Sequence, residues 1–349
     1  MSTPFVHQHA AHCESGVAAN LLRHHGMALS EPMVFGLSSA LSFAYLPFIK
    51  ISGMPLIAYR IPPKQIIKRL GAILGTPFRF ETFRTPKQGQ TRLDELLAQN
   101  HVVGLQTSVY WLPYFPQDMR FHFNAHNLVV FGKQDGLYQI SDPVFETTLQ
   151  CAPEDLNRAR FTKGMLAPKG RLYTLAPITE NNSQNKQPFS VSTQAMRKAI
   201  RKTCRHMLSP APIAGIKGIK LLAKKIHSLN PADASSLQLV GHIVRMQEEI
   251  GTGGAGFRFL YAAFLQEAST HSELHFLHTF ADELMGIGDD WRMFALTVAR
   301  MIRGRAPFEP QLLSRQLTDL ATKEASFFTQ LKQQIEMQQV HVQVRHAAD

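Results

Sequence analysis

His12-Cys13-Glu14-Ser15-Gly16, running on through Val17-Ala18-Ala19-Asn20-Leu21-Leu22 to Gly26, decides how the first part of this chain folds. Residues 14–25 read as a helix with Val17, Leu21 and Leu22 on one side and Gly26 closing it, which sets Cys13 at the first turn. A thiol there faces the positive end of the backbone dipole, and that favours the reactive thiolate. Far downstream, His126 opens the apolar run 127–132 and Asp142 ends a second run, 137–141, with Lys133-Gln134-Asp135-Gly136 between them. The two runs read as a β-hairpin. A three-residue loop of Lys133, Gln134 and Asp135 would pair Gly132 with Gly136 and place His126 opposite Asp142, on one face of the sheet. The carboxylate would orient the imidazole that takes the thiol proton and stabilise the imidazolium that forms. A slip of one residue would put the two side chains on opposite faces. A lone cysteine is more often a buried structural thiol; the downstream histidine and aspartate favour the nucleophile.

His12-Cys13-Glu14-Ser15-Gly16, Val34-Phe35-Gly36-Leu37, the His126-Asn127 strand and the corner Ser141-Asp142-Pro143 resemble the N-terminal domain of the butirosin biosynthesis protein H family. That domain is similar in turn to the papain-like peptidases that remove bacteriocin leaders. Gly251-Thr252-Gly253-Gly254-Ala255-Gly256-Phe257-Arg258 and Tyr261-Ala262-Ala263-Phe264-Leu265-Gln266-Glu267-Ala268 resemble the helical domain usually fused behind it. The resemblance covers most of the chain and implies a papain-like, cysteine-protease-type first domain. It also implies thioester chemistry: an aminoacyl group leaves a carrier-protein thioester, rests on the cysteine and passes to an amine. One position departs from the related leader peptidases, which place an oxyanion-hole glutamine six residues before the cysteine. Here His7 holds that position and Gln8 follows it. Oxyanion stabilisation by a single donor is worth on the order of 3 kcal/mol, so the donors matter. The Cys13 amide is one candidate, and Gln8, His9 or His12 could supply the second.

The fold class expected is α+β for the first domain, with an all-α domain after it. Helical patterns at 14–25, 63–74 and 92–99 alternate with strand patterns at 102–106, in the hairpin and at 171–175. From residue 193 onward every period is helical, over 193–206, 213–227, 234–249, 257–268, 272–286, 289–302 and 310–338. Thr179-Glu180-Asn181-Asn182-Ser183-Gln184-Asn185-Lys186-Gln187-Pro188 is polar and ends in proline, as a connection between domains does. The expected organisation is therefore a catalytic domain over 1–178, a linker over 179–189 and a helical domain over 190–349. A chain of 349 residues exceeds what one core usually organises, and 44% apolar content is ordinary for globular domains.

Composition narrows the function classes. Residues 1–12 are polar, and the apolar stretch 35–59 is broken by Pro47, Lys50 and Pro55, so neither a signal peptide nor a membrane span is expected. Cys13, Cys151 and Cys204 have no disulfide or metal spacing, which suits a reducing cytoplasm with Cys151 and Cys204 inert. The sixteen histidines are scattered, without HExxH or CxxC, and no metal site or permanently bound cofactor is expected. Between Asn181 and Ala232 there is no acidic residue. Lys198, Arg201, Lys202 and Arg205, with Lys217, Lys220, Lys224 and Lys225, supply much of the net charge of +11. Such a face attracts an acidic partner, which the resemblance makes an acyl carrier protein presenting its phosphopantetheine thioester. Nucleic acid or an anionic membrane would fit the charge alone, but no nucleic-acid motif or aromatic platform accompanies it. A merely solvated face is the plainer reading.

Gly251, Gly253 and Gly256 spell a literal GxGxxG, yet the pattern follows a helix rather than the strand a dinucleotide site requires. A tight interhelical turn is the first expectation. Substrate contact by Gly253, Gly254, Arg258 and Tyr261 is the second, since amides at a helix start can hold an anion. The whole pattern leads to a Cys13, His126, Asp142 acyltransferase acting on a small-molecule or lipid acceptor in secondary-metabolite or lipid biosynthesis. A thioesterase or a cysteine peptidase or amidase would use the same residues, and a catalytically silent binding protein would keep the fold alone.

Overall fold

The computed structural model describes residues 4–51, 53–175 and 190–346. In chain order its elements begin with α1 (Cys13–His24), α2 (Glu31–Leu37), β1 (Leu41–Ile51), β2 (Met54–Arg60), α3 (Gln65–Leu74), β3 (Phe78–Glu81) and α4 (Pro86–Ala98). Next come β4 (Val103–Thr107), β5 (His126–Gln134), β6 (Leu137–Ser141), β7 (Leu149–Cys151), α5 (Pro153–Phe161) and β8 (Leu172–Leu175). The remainder is α6 (Thr193–Met207), α7 (Gly215–His227), α8 (Ala234–Glu248), α9 (Arg258–Ala268), α10 (Leu277–Ile302) and α11 (Pro310–His346). No helix among the described residues is long and apolar enough to cross a membrane.

The chain folds as two compact units. One takes the chain up to Val34 and again from Pro63 to Ser190; the other takes Phe35–Pro62 and everything from Val191. The first unit is α+β, built on a six-stranded antiparallel sheet in the order β3-β8-β4-β5-β6-β7. Residues 13–22 of α1 are buried without a break, Glu14, Ser15 and Asn20 among them, so over that stretch the helix shows no exposed polar stripe. It packs on β5, β4, β8 and α3. Leu93 and Leu96 of α4 and Leu156 and Ala159 of α5 join Val103, Leu105, Leu128, Val130 and Ile140 in a single core. The strands thus have both faces covered, and their near-continuous apolar composition follows.

The second unit is helical apart from one hairpin. β1 and β2 pair antiparallel, with irregularities between Leu41 and Ala44 and between Leu46 and Lys50. Pro47 falls in the second irregularity, where the missing amide breaks no regular ladder. The expected first domain of residues 1–178 is therefore interrupted, because Phe35–Pro62 belongs with the helices. Its aromatic side chains make the reason plain. Phe35 stacks on Phe257, and Phe43 and Tyr59 both pack on the buried Trp291 of α10. The linker expected at 179–189 lies outside the described residues. The two helices expected at 272–286 and 289–302 are a short turn at Ser272–Leu274 followed by the single helix α10. Gly286 and Gly288 do not break it, since glycine without proline costs only about 1 kcal/mol in a helix and Gly288 lets Phe259 pack closely.

Candidate active site

The site begins with the capped start of α1. His12 is the N-cap, extended at φ −134° and ψ 132°, and its Nδ1 accepts the Ser15 amide at 3.3 Å. The Glu31 carboxylate grips the turn from outside, accepting the amides of Ala11 and His12 at 2.8 Å each and the Ser15 hydroxyl at 2.9 Å. Burial lifts the Glu31 carboxyl above its usual range, with those donors pulling the other way. Cys13 is fixed in the first turn as a result, buried and unpaired by any disulfide.

His126 and Asp142 come from the β5–β6 hairpin and the residue that follows it, though not in the register expected. The loop has two residues, Asp135 and Gly136, at φ 52° and 80°, the pair of positive values a type I′ turn needs. The tip pairs Gln134 with Leu137, Lys133 with Tyr138 and Gly132 with Gln139. Carried on unbroken, that register would set Asp142 across from Val129, on the face opposite His126. A bulge at Phe131 intervenes, so that Val130 pairs with Ile140 and Val129 with Ser141. One step further Asp142 lies across from Leu128, whose face His126 shares by strand alternation. The three-residue loop was the wrong mechanism, and turn plus bulge restores the shared face.

His126 Nε2 lies 2.7 Å from Asp142 Oδ2, with both residues buried. Tyr114 donates its hydroxyl to the same carboxylate oxygen at 2.9 Å, and the Val144 amide reaches Oδ1 at 3.3 Å. Phe115 stands edge-on to the imidazole. Burial alone would push the His126 imidazole down, but the charge and hydrogen bond of Asp142, then the hydrogen bond and charge of Cys13, lift it to about 10. With Nε2 occupied by Asp142, Nδ1 is the nitrogen left for the thiol. Asn127 brings its Nδ2 to 3.9 Å from Cys13 Sγ, while its Oδ1 accepts the Tyr173 hydroxyl at 3.0 Å.

His12 spends its Nδ1 on the helix cap, and the Gln8 side chain is exposed, with the backbone carbonyl of Gln8 held by Asn20. His7 is tied to Ser141 Oγ at 2.7 Å and the Phe145 carbonyl at 3.0 Å. In the second unit, Arg258 pairs fully buried with Glu324 at 2.8 Å and holds the Gly256 carbonyl, beneath the Trp291 ring. Trp291 Nε1 donates to the same Glu324. A guanidinium so engaged is structural, and the substrate contact expected of Arg258 is corrected accordingly. Tyr261 is likewise wholly buried. Gly253 and Gly254 form the turn between α8 and α9 at φ 66° and 86°, and a Cβ on Gly254 would strike Arg292. Tyr114, Glu31 and Tyr173 escaped the sequence reading, because no periodic signal in their own segments places them beside Cys13 or Asp142.

Residues 12–143 match the family model described as butirosin biosynthesis protein H, N-terminal, and residues 154–331 match one described as a domain of unknown function, DUF4872. The chain belongs to the DUF4872 family, and its first part is similar to the butirosin biosynthesis protein H N-terminal domain. Its solved structural neighbours include a protein from Bacillus anthracis described as a C39-like peptidase, 13% identical, with 50% of this chain and 94% of that chain covered at a TM-score of 0.34. Among curated proteins no match is found. The butirosin protein H match spans Cys13, His126 and Asp142 together.

Proposed function

We propose that the chain is a cysteine-dependent acyltransferase in which Cys13 takes an acyl group from a carrier-protein or CoA thioester and passes it to an amine or hydroxyl. The single observation carrying this reading is the His126 imidazole set between Asp142 and Cys13 and lifted to about 10, which keeps an imidazolium beside the sulfur at neutral pH. Cys13 Sγ bonds to the acyl carbon, and the donor sulfur leaves with the proton from His126. The acceptor then gives a proton to His126 as it attacks, and Cys13 departs as thiolate. The basic face of α6 and α7 supports an acidic carrier, since Lys198, Lys202, Arg205, Lys217, Lys220 and Lys224 are all exposed.

Incubation with a panel of acyl-carrier thioesters, read by intact mass, tests the reading. The native chain should gain one acyl group and Cys13→Ala none; labelling undiminished in the variant sinks the proposal. With water as acceptor the same residues would make a thioesterase. Adding and withholding amines separates the two, because a transferase releases acyl amide rather than free acid.

A further inference from the structure

Asn127 is placed where a donor to the acyl oxygen is needed. Its Nδ2 stands 3.9 Å from Cys13 Sγ, and its orientation is not free to reverse. The Tyr173 hydroxyl donates to Oδ1 at 3.0 Å, and Nδ2 also donates to the Ala125 carbonyl at 3.0 Å. Tyr173 is fully buried, and burial with the nearby charges of Glu14 and Cys13 holds its phenol far above the usual range, so it is a donor at every working pH. The Ala125 carbonyl, which can only accept, and the Tyr173 hydroxyl donating to Oδ1 together hold the carbonyl end of the amide toward Tyr173 and the NH2 end toward the sulfur.

When Sγ bonds to an acyl carbon, the carbonyl oxygen comes to about 2.7 Å from the sulfur, and an oxyanion-hole donor must stand about 2.9 Å from that oxygen. A nitrogen 3.9 Å from sulfur satisfies both distances with the oxygen between them. His7 is tied to Ser141, and the Nδ1 of His12 is spent on the helix cap. We infer that Asn127 is a catalytic residue, the side-chain oxyanion donor for acylation of Cys13, and that Tyr173 positions it. This rests on Cys13 being the acyl-accepting nucleophile.

Two reactions of the same sulfur separate the role from its alternatives. Acylation by p-nitrophenyl acetate passes through a tetrahedral oxyanion, whereas alkylation by iodoacetamide is displacement at a saturated carbon and makes none. Burial pushes the thiols of Cys151 and Cys204 up to about 12, which leaves Cys13 as the labelled site at pH 7. Asn127→Ala should slow the nitrophenolate burst about 100-fold while alkylation stays within a factor of about three. Tyr173→Phe should slow the burst about 10-fold, again without slowing alkylation, because it frees the amide to turn. Equal losses in both reactions, or an unchanged burst, overturn the assignment. If Asn127→Ala does not fold, Tyr173→Phe decides by the same comparison. A native chain that is alkylated but gives no burst overturns the nucleophile reading itself, a different failure from an unaffected Asn127→Ala.

Discussion

The environment of His126 has a consequence that needs no substrate. Its folded imidazole is lifted to about 10 against an ordinary value near 6.5, despite burial. A group whose proton is held more tightly when folded stabilises the fold fully below the unfolded value, and the stabilisation is lost as pH rises through the folded one. His126→Gln should therefore lower the melting temperature by about 10 °C at pH 6, as removal of one partner of a buried pair does. The gap should close as the pH is raised from 7 toward 10; a gap that widens would contradict the charged pair. The pairing of His126 with Asp142 was legible in the sequence, because residue type and order along a hairpin suggest it. Asn127 could be read only as the neighbour of a histidine. Tyr114 and Glu31 were invisible, since a loop phenol and a carboxylate at the start of α2 acquire their partners only through the tertiary fold.

At the scale of elements, the site depends on how closely α1 approaches the Asp142-Pro143 corner. The Ala10 amide donates to the Pro143 carbonyl at 2.7 Å, and a Cβ on Gly16 would meet Ala10 at 2.6 Å and the Pro143 ring at 2.7 Å. A proline ring cannot swing aside. Gly16→Ala should force the helix off the corner at a cost of about 1–3 kcal/mol, with the melting temperature falling and acylation falling with it. A variant equally stable and equally fast would show that the approach is slack. The hairpin illustrates how far pattern reading reaches. The strands of 126–134 and 137–141 follow from two apolar runs around a polar segment, but the two-residue Asp135-Gly136 turn was read as a three-residue loop, which shifted the register. The bulge is not legible, for nothing in Val130-Phe131-Gly132 marks the extra residue. β1 and β2 were hidden by Pro47, Lys50 and Pro55, which read as interruptions until an irregular two-stranded ladder is seen to absorb them.

For the whole molecule, the division at Phe35–Pro62 matters more than the boundary near residue 190. The helices after Val191 lean on the inserted hairpin: Tyr45 donates to the Ile213 carbonyl, Phe43 and Tyr59 pack on Trp291, and Arg258 sits over Tyr59. A polypeptide limited to residues 190–349 should keep helical circular dichroism, bind a hydrophobic dye and melt without cooperativity, whereas covalent attachment of residues 35–62 should restore a sharp transition. A sharp transition without them would show that the hairpin is dispensable. The spacing along the chain also orders events during synthesis. His126 and Asp142 stand 16 positions apart and come together by closing one tight turn, but Cys13 is 114 positions from Asn127. Local contacts close quickly and distant ones late. A growing chain thus carries Cys13 long before the β5–β6 hairpin exists to stand beside it, and the site is assembled only once the last-made strands close on the first-made helix.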